Sequence, residues 1–236
     1  MLMIEEPTGP DALRVRSPLR ASSPLRTPRA AAVAGIAFSV LLASALVLLR
    51  ISAPFNSATP GSWLTDSGRR TAVALGLNLV PFAGIAFLWF VGVLRDRIGE
   101  REDRFFATVF LGSGLLFVAM MFAGAAIAGG LIADQASHPP GPDTLALGRS
   151  VTATLVNTYA MRMAAVFTLT TVTIARHTEI VSRWLTVAGL VSALVLLIGV
   201  GFSPWVELLF PAWILALSID ILAAGRSHPL RTPAAE

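Results

Sequence analysis

Six apolar runs, each about as long as a bilayer-crossing helix, constrain this chain more than any other feature. A spanning helix takes about 20 mostly apolar residues. Runs of that kind occupy residues 30–49, 72–94, 105–132, 151–174, 184–202 and 205–223. Inside hydrocarbon the backbone must satisfy its own hydrogen bonds, so a long uninterrupted run implies a helix. Composition agrees, because 55% of the 236 residues are hydrophobic and only 14% are charged, against about 25% charged in a soluble domain. One soluble core of this length cannot bury so much apolar surface and still present a wet exterior. The expected fold is therefore an all-α membrane protein, a six-transmembrane-helix bundle spanning residues 30–223. The third run is the longest and is expected to tilt or protrude. The fifth and sixth runs are parted only by Ser203-Pro204 and read as a tight helical hairpin.

The segments between the runs set the orientation. All 18 basic residues are arginine. With the N-terminus inside, 13 arginines fall in inner segments and four, Arg50, Arg69, Arg70 and Arg149, in outer ones. The positive-inside rule selects this arrangement, which places both termini in the cytoplasm and the bundle in the cell membrane. Residues 1–29 form an Arg/Pro-rich tail that cannot bury enough surface to order itself. The first run is too long, and its tail too extended, for a cleaved signal peptide, so it reads as a signal anchor. Residues 224–236 form a second cytoplasmic tail, and Pro-Leu-Arg-Thr-Pro occurs in both, at 24–28 and 229–233. The arginines of these tails would attract anionic lipid headgroups. The outer loop 133–150 contains Pro139-Pro140-Gly141-Pro142 and is expected to be extended. In the inner loop 95–104, charge balances, and Glu100 and Arg104 stand at i,i+4.

Ionisable groups within the spans are expensive and mark functional candidates. Arg162 lies near the middle of the fourth run and is expected to face the bundle interior or a wet cavity, with Thr158 and Tyr159 on its face. Its candidate partners are Asp220 and Glu207 on the sixth run, Asp220 being preferred because Glu207 can reach interfacial water at the outer end. An unpaired Asp220 would instead be a protonatable carboxyl. Asn78 precedes Pro81 in the second run, and Pro211 sits in the sixth; both prolines are expected to kink their helices. Small residues recur at four-residue spacing at Gly35, Ser39 and Ala43, at Ala125 and Gly129, and at Gly189 and Ala193. Such spacing lets helices approach closely, within one chain or between subunits. Thr168, Thr170, Thr171 and Thr173 are expected to bond to their own helix backbone.

Several chemistries are excluded or unsupported. Cysteine is absent, which removes disulfides, thiolate catalysis and zinc–thiolate or iron–sulfur sites. His138, His177 and His228 all fall outside the runs, so no metal or haem site is expected, and no cofactor. Gly112-Ser113-Gly114 has no intramembrane histidine to activate its serine, and no phosphate-binding Gly-Lys-Ser/Thr loop is present. No enzyme is expected. No clustered basic stripe with stacking aromatics is present, so no nucleic-acid partner is expected either.

The stretch 82–121 contains Phe87-Leu88-Trp89-Phe90, then Arg95-Asp96-Arg97, then Glu100-Arg101-Glu102-Asp103-Arg104-Phe105-Phe106. It resembles a family of bacterial multi-span integral membrane proteins of uncharacterised activity. The resemblance covers about 40 residues and implies a shared membrane bundle, with no functional residue to carry over. Two functions follow as expectations. The favoured one is a structural or accessory component of a membrane assembly, with Arg162 in an intramembrane polar contact inside the bundle, and with a membrane-protein partner or homo-oligomer as a possible associate. The alternative is a small carrier or permease in which Arg162 anchors an anion or substrate.

Overall fold

A computed structural model of the chain describes residues 28–53, 66–98, 104–134, 141–178, 182–199, 203 and 205–224. The tails with their repeated pentapeptides, the Glu100–Arg104 pairing and the dipeptide Pro139-Pro140 lie outside the described residues. Within them the chain is all-helical and has no strand. The helices are α1 (Pro28–Ser52), α2 (Ser67–Ile98), α3 (Arg104–Asp134), α4 (Pro142–Ala153), α5 (Met161–Thr178), α6 (Arg183–Ile198) and α7 (Leu209–Ala224). A π-helical segment, Thr154–Ala160, joins α4 to α5 without a break, so six continuous helices alternate in direction among the described residues. A 3₁₀ turn, Val206–Leu208, leads into α7.

Four segments are long and apolar enough to cross a membrane by length and composition: Arg29–Ser52, Ser67–Arg95, Phe105–Ala133 and Val206–Ala224. The fourth apolar run is divided by the π segment. The fifth is a 16-residue helix that ends at Ile198, four residues short of the expected limit.

Two local expectations fail for identifiable reasons. The loop 133–150 is not extended throughout, because α4 already starts at Pro142. Proline at the first helical position needs no hydrogen-bond partner and has φ preset for a helix, so Pro142 starts the helix. Pro211 does not kink a helix interior. It is the third residue of α7, within the first turn, where its missing N–H leaves no gap. Pro81 does lie inside α2 as expected. At the start of α2, Asp66 Oδ1 accepts the backbone N–H groups of Gly68 (2.9 Å) and Arg69 (3.2 Å), a side-chain cap.

The core is aromatic. Phe38 of α1, Phe87 of α2, Phe117 of α3, Phe167 of α5 and Phe210 of α7 are all at most 2% exposed. The Phe38 and Phe87 ring centroids lie 4.6 Å apart, those of Phe87 and Phe167 5.0 Å, and those of Phe117 and Phe210 4.9 Å. Five helices thus meet at one cluster of rings in tilted and edge-to-face pairs, the geometries favoured by the ring quadrupole. Around it α1 lies along α2 and α7, α3 lies against α2 and α5, and α6 lies against α5. The outward side of α6 is apolar, with Val187, Val191, Leu194 and Ile198 all more than half exposed. Such a surface suits lipid and not water.

Small residues make the tight crossings, and at two of the three sets those crossings are within the chain. A Cβ on Gly35 would lie 2.1 Å from Ser218 Oγ of α7 and 2.9 Å from Phe90 of α2. One on Gly189 would lie 2.5 Å from Val172 and 2.6 Å from Trp213 Nε1. That indole donates to the Leu185 carbonyl at 3.2 Å, which ties α7 to α6. Gly129, by contrast, has open space around it. Thr168, Thr170, Thr171 and Thr173 each donate to the carbonyl four residues back, as expected.

Gly35→Ala is expected to lower the thermal unfolding midpoint in detergent, at an overpacking cost of about 1–3 kcal/mol. The added methyl meets the Ser218 hydroxyl first, so Gly35→Ala with Ser218→Ala should recover part of the loss. Additive losses in that double-mutant cycle would contradict the contact.

Candidate functional site: the Arg50 cleft and the polar residues of the bundle

Among the described residues a buried charge pair joins Arg50, in the last turn of α1, to Glu207, in the 3₁₀ turn before α7. An Arg50 Nη2–H donates to Glu207 Oε1. The two side chains are only 13% and 9% exposed. The pair follows from chain direction. α1 runs toward this end and α7 runs away from it, so the last turn of one meets the first turn of the other. Arg50 was counted above only as an outer-loop charge, and Glu207 as a residue able to reach interfacial water. The signal that would have joined them is their common level: each ends or begins an apolar run at the same end of the bundle, with opposite charge.

Beside this pair lies a cleft of about 100 Å³. Its wall is mostly aliphatic and includes Leu46, Leu77, Val80 and Met121, while Arg50, Arg149, Thr152, Asn157 and Glu207 supply its polar atoms. The cleft exists because α1 packs on α2 and α7, whereas α4 packs on α3. Two close approaches hold α4 and the π segment on α3. A Cβ on Gly124 would lie 2.7 Å from Val156, and one on Gly148 would lie 2.6 Å from Leu131. The π segment widens the helix locally and carries Asn157 in the cleft wall. Thr152 Oγ1 in the same wall is buried without a hydrogen-bond partner.

The residues singled out in the sequence are scattered. Arg162 is exposed on the outside of α5, which overturns the expectation that it faces the interior or a wet cavity. Its Nη1 donates to the Thr158 carbonyl of its own helix at 3.4 Å. Neither Asp220 nor Glu207 pairs with it. One physical cause accounts for the difference. The interior face of α5 is taken by Ala160, Ala164, Phe167 and Thr168, which pack into the aromatic core and turn Arg162, Leu169 and Arg176 outward at seven-residue spacing. The periodic Ala and Phe face was readable in the sequence and marks the opposite side.

Tyr159 is 54% exposed on the same side as Arg162, and Thr158 is half-buried. Asn78 is exposed and donates from Nδ2 to the Ala74 carbonyl at 2.8 Å. Asp220 is half-buried at the opposite end of the bundle, where Oδ2 accepts the Ser182 N–H at 3.5 Å. Ser182 is the N-cap of α6, so the carboxylate stands at a helix N-terminus, where negative charge is favoured. Ser113 donates to the Val109 carbonyl at 2.7 Å, within its own helix. Among the described residues no group of three or more His, Asp or Glu side chains could hold a metal ion.

Comparison with protein families, with curated proteins and with solved structures finds no match to this chain.

Removing one member of a buried ion pair leaves the other charge uncompensated, at a cost of about 3–5 kcal/mol. Glu207→Ala is therefore expected to lower the unfolding midpoint strongly, and Arg50→Met with Glu207→Leu to cost less than Glu207→Ala alone. Circular-dichroism melts of the three proteins check this, and equal losses for the single and double variants would show that the pair is not coupled. By the same geometry Arg162→Gln and Asp220→Asn should show no coupling.

Proposed function

We propose that the chain is a six-span bundle of the cell membrane with both termini in the cytoplasm, and that it serves as a structural or accessory component of a membrane assembly. Three features support the topology. Four described helices reach spanning length, successive helices alternate in direction, and the sequence puts 13 arginines in the inner segments against four in the outer ones. Arg29, Arg95, Arg176 and Arg183 would meet anionic headgroups there.

The observation that carries the accessory role is Arg162. Val156 and Phe167, which flank it, meet Gly124 and Gly114 of α3, and these glycines bracket the middle of that helix. Arg162 therefore sits near mid-depth and points out of the bundle. A guanidinium facing hydrocarbon at that depth costs about 3 kcal/mol or more. A carboxylate on a neighbouring transmembrane helix would offset the cost. A second copy approaching symmetrically through this stripe would set cation against cation, since the stripe holds Tyr159, Leu169 and Arg176 and no described acid. The partner is therefore a different membrane protein. A carrier that anchors its substrate on Arg162 is less well supported, because Arg162 does not line the cleft.

Two measurements test this reading. The chain has no cysteine, so single-cysteine variants report topology without background. Thr144→Cys should react with an impermeant maleimide on intact cells, and Arg231→Cys only after permeabilisation; the reverse pattern would invert the topology. For the assembly, native polymer nanodiscs should carry a stoichiometric second protein with the parent and with Arg162→Lys. Arg162→Leu should lose it without a lower unfolding midpoint. Retention by Arg162→Leu would refute the role of this residue.

A further inference from the structure

The outward face of α5 differs from that of its neighbour α6. On α6 the exposed positions are Val187, Val191, Leu194 and Ile198, side chains that lipid tails solvate. On α5 the outward positions are Arg162, Val166, Leu169, Thr173 and Arg176. Arg162, Leu169 and Arg176 are exposed, and Val166 and Thr173 are half-buried. They follow one another at alternating steps of four and three residues along the α-helix Met161–Thr178. That alternation is the seam along which two helices pack lengthwise at a crossing angle of about +20°, the usual arrangement in membrane bundles. Within the bundle α5 uses other faces: Phe167 stands against Gly114 of α3, and Val172 against Gly189 of α6. No described helix covers the seam itself. The seam also changes with depth. Arg162 stands near mid-depth, and Arg176 lies about 21 Å further along the axis at 1.5 Å per residue. The hydrocarbon extends only about 15 Å from its centre, so Arg176 reaches the head groups. A lipid phosphate or a fatty-acid carboxylate rides at that level and can serve Arg176, but not Arg162. A side-chain carboxylate on a spanning helix can stand at any depth.

We infer, building on the assembly role proposed above, that a single transmembrane helix of the partner protein lies lengthwise along this seam. It carries one Asp or Glu at mid-depth against Arg162, and small or aliphatic side chains opposite Val166, Leu169 and Thr173. The Thr173 hydroxyl already donates to the Leu169 carbonyl, so below Arg162 the seam asks a partner for close packing and not for hydrogen bonds. The carboxylate of the partner is as costly in hydrocarbon as the guanidinium, and each compensates the other only when the two helices are together.

The test places photoreactive benzoylphenylalanine singly at Val166, Leu169 and Thr173, and singly at Val187, Val191 and Leu194 of α6, in the full chain in cells. All six positions are outward, so the bundle core is left intact. Mass spectrometry after irradiation identifies what is linked. The seam positions should link to one transmembrane segment of one other protein, with an Asp or Glu near its middle, and the α6 positions to lipid alone. Exchanging that acid for Asn or Gln should cut the yield from Leu169 about tenfold, the scale of one charge-assisted hydrogen bond. Exchanging it for Arg together with Arg162→Glu should restore the yield. An unchanged yield on loss of the acid overturns the pairing, and links from α6 as strong as those from the seam overturn the single-helix arrangement. Seam positions that link to lipid alone, or to a segment without an acid, overturn the seam; a second protein retained in nanodiscs then leaves the assembly role standing, and its absence removes that as well. Links to a second copy of this chain overturn both.

Discussion

The rest of this bundle depends on a cluster of buried phenylalanines. Phe38, Phe87, Phe117, Phe167 and Phe210 come from five different helices and meet at centroid distances of 4.6 to 6.2 Å. In hydrocarbon, apolar surface gains nothing by leaving its solvent, so helices are held by close packing and by a few polar contacts. Rings in edge-to-face contact supply that packing over a large area. Once they occupy the centre, each of these five helices has one face committed, and the rest is placed by what remains.

Both polar features follow from that commitment. On α5 the Ala and Phe face turns inward to the rings, and Arg162 is left on the outside. Toward the Arg50 end the packing diverges. α1 stays with α2 and α7, α4 stays with α3, and a cleft opens between them. Arg50 and Glu207 lie on the wall of that opening, where each is too enclosed to be hydrated fully and each is neutralised by the other. The π segment belongs to the same compromise. It lets one helix run from Pro142 to Thr178 while packing on α3 at Val156 and on the aromatic core at Phe167.

Much of the architecture was legible in the linear chain. The apolar runs announced helices, because only a helix satisfies its own backbone in lipid. The threonines of α5 bonded to their own carbonyls, as short hydroxyl side chains do when nothing else is near. Gly35 and Gly189 marked close crossings, although spacing could not say which helix came close. The site was far less legible. Arg162 drew attention as a charge at mid-run, and the cost of a charge in the membrane suggested an inward side chain, whereas the interior face of α5 is taken by Ala and Phe. The partnership of Arg50 with Glu207 spans 157 positions and carries no local signal.

The sequence by itself determined that this chain is helical, that four or more of its segments suit a membrane, and where the charges lie along it. Those properties depend on composition and on backbone hydrogen bonding, which are local. Only the tertiary structure decided which faces turn inward, that Asp220 stands at the N-terminus of α6, that Arg50 meets Glu207, and that Arg162 points away from the bundle. The reason is that almost every face of these helices is apolar, so hydrophobicity cannot tell inside from outside. That choice is made by shape: by where rings, glycines and one widened turn let the helices fit together.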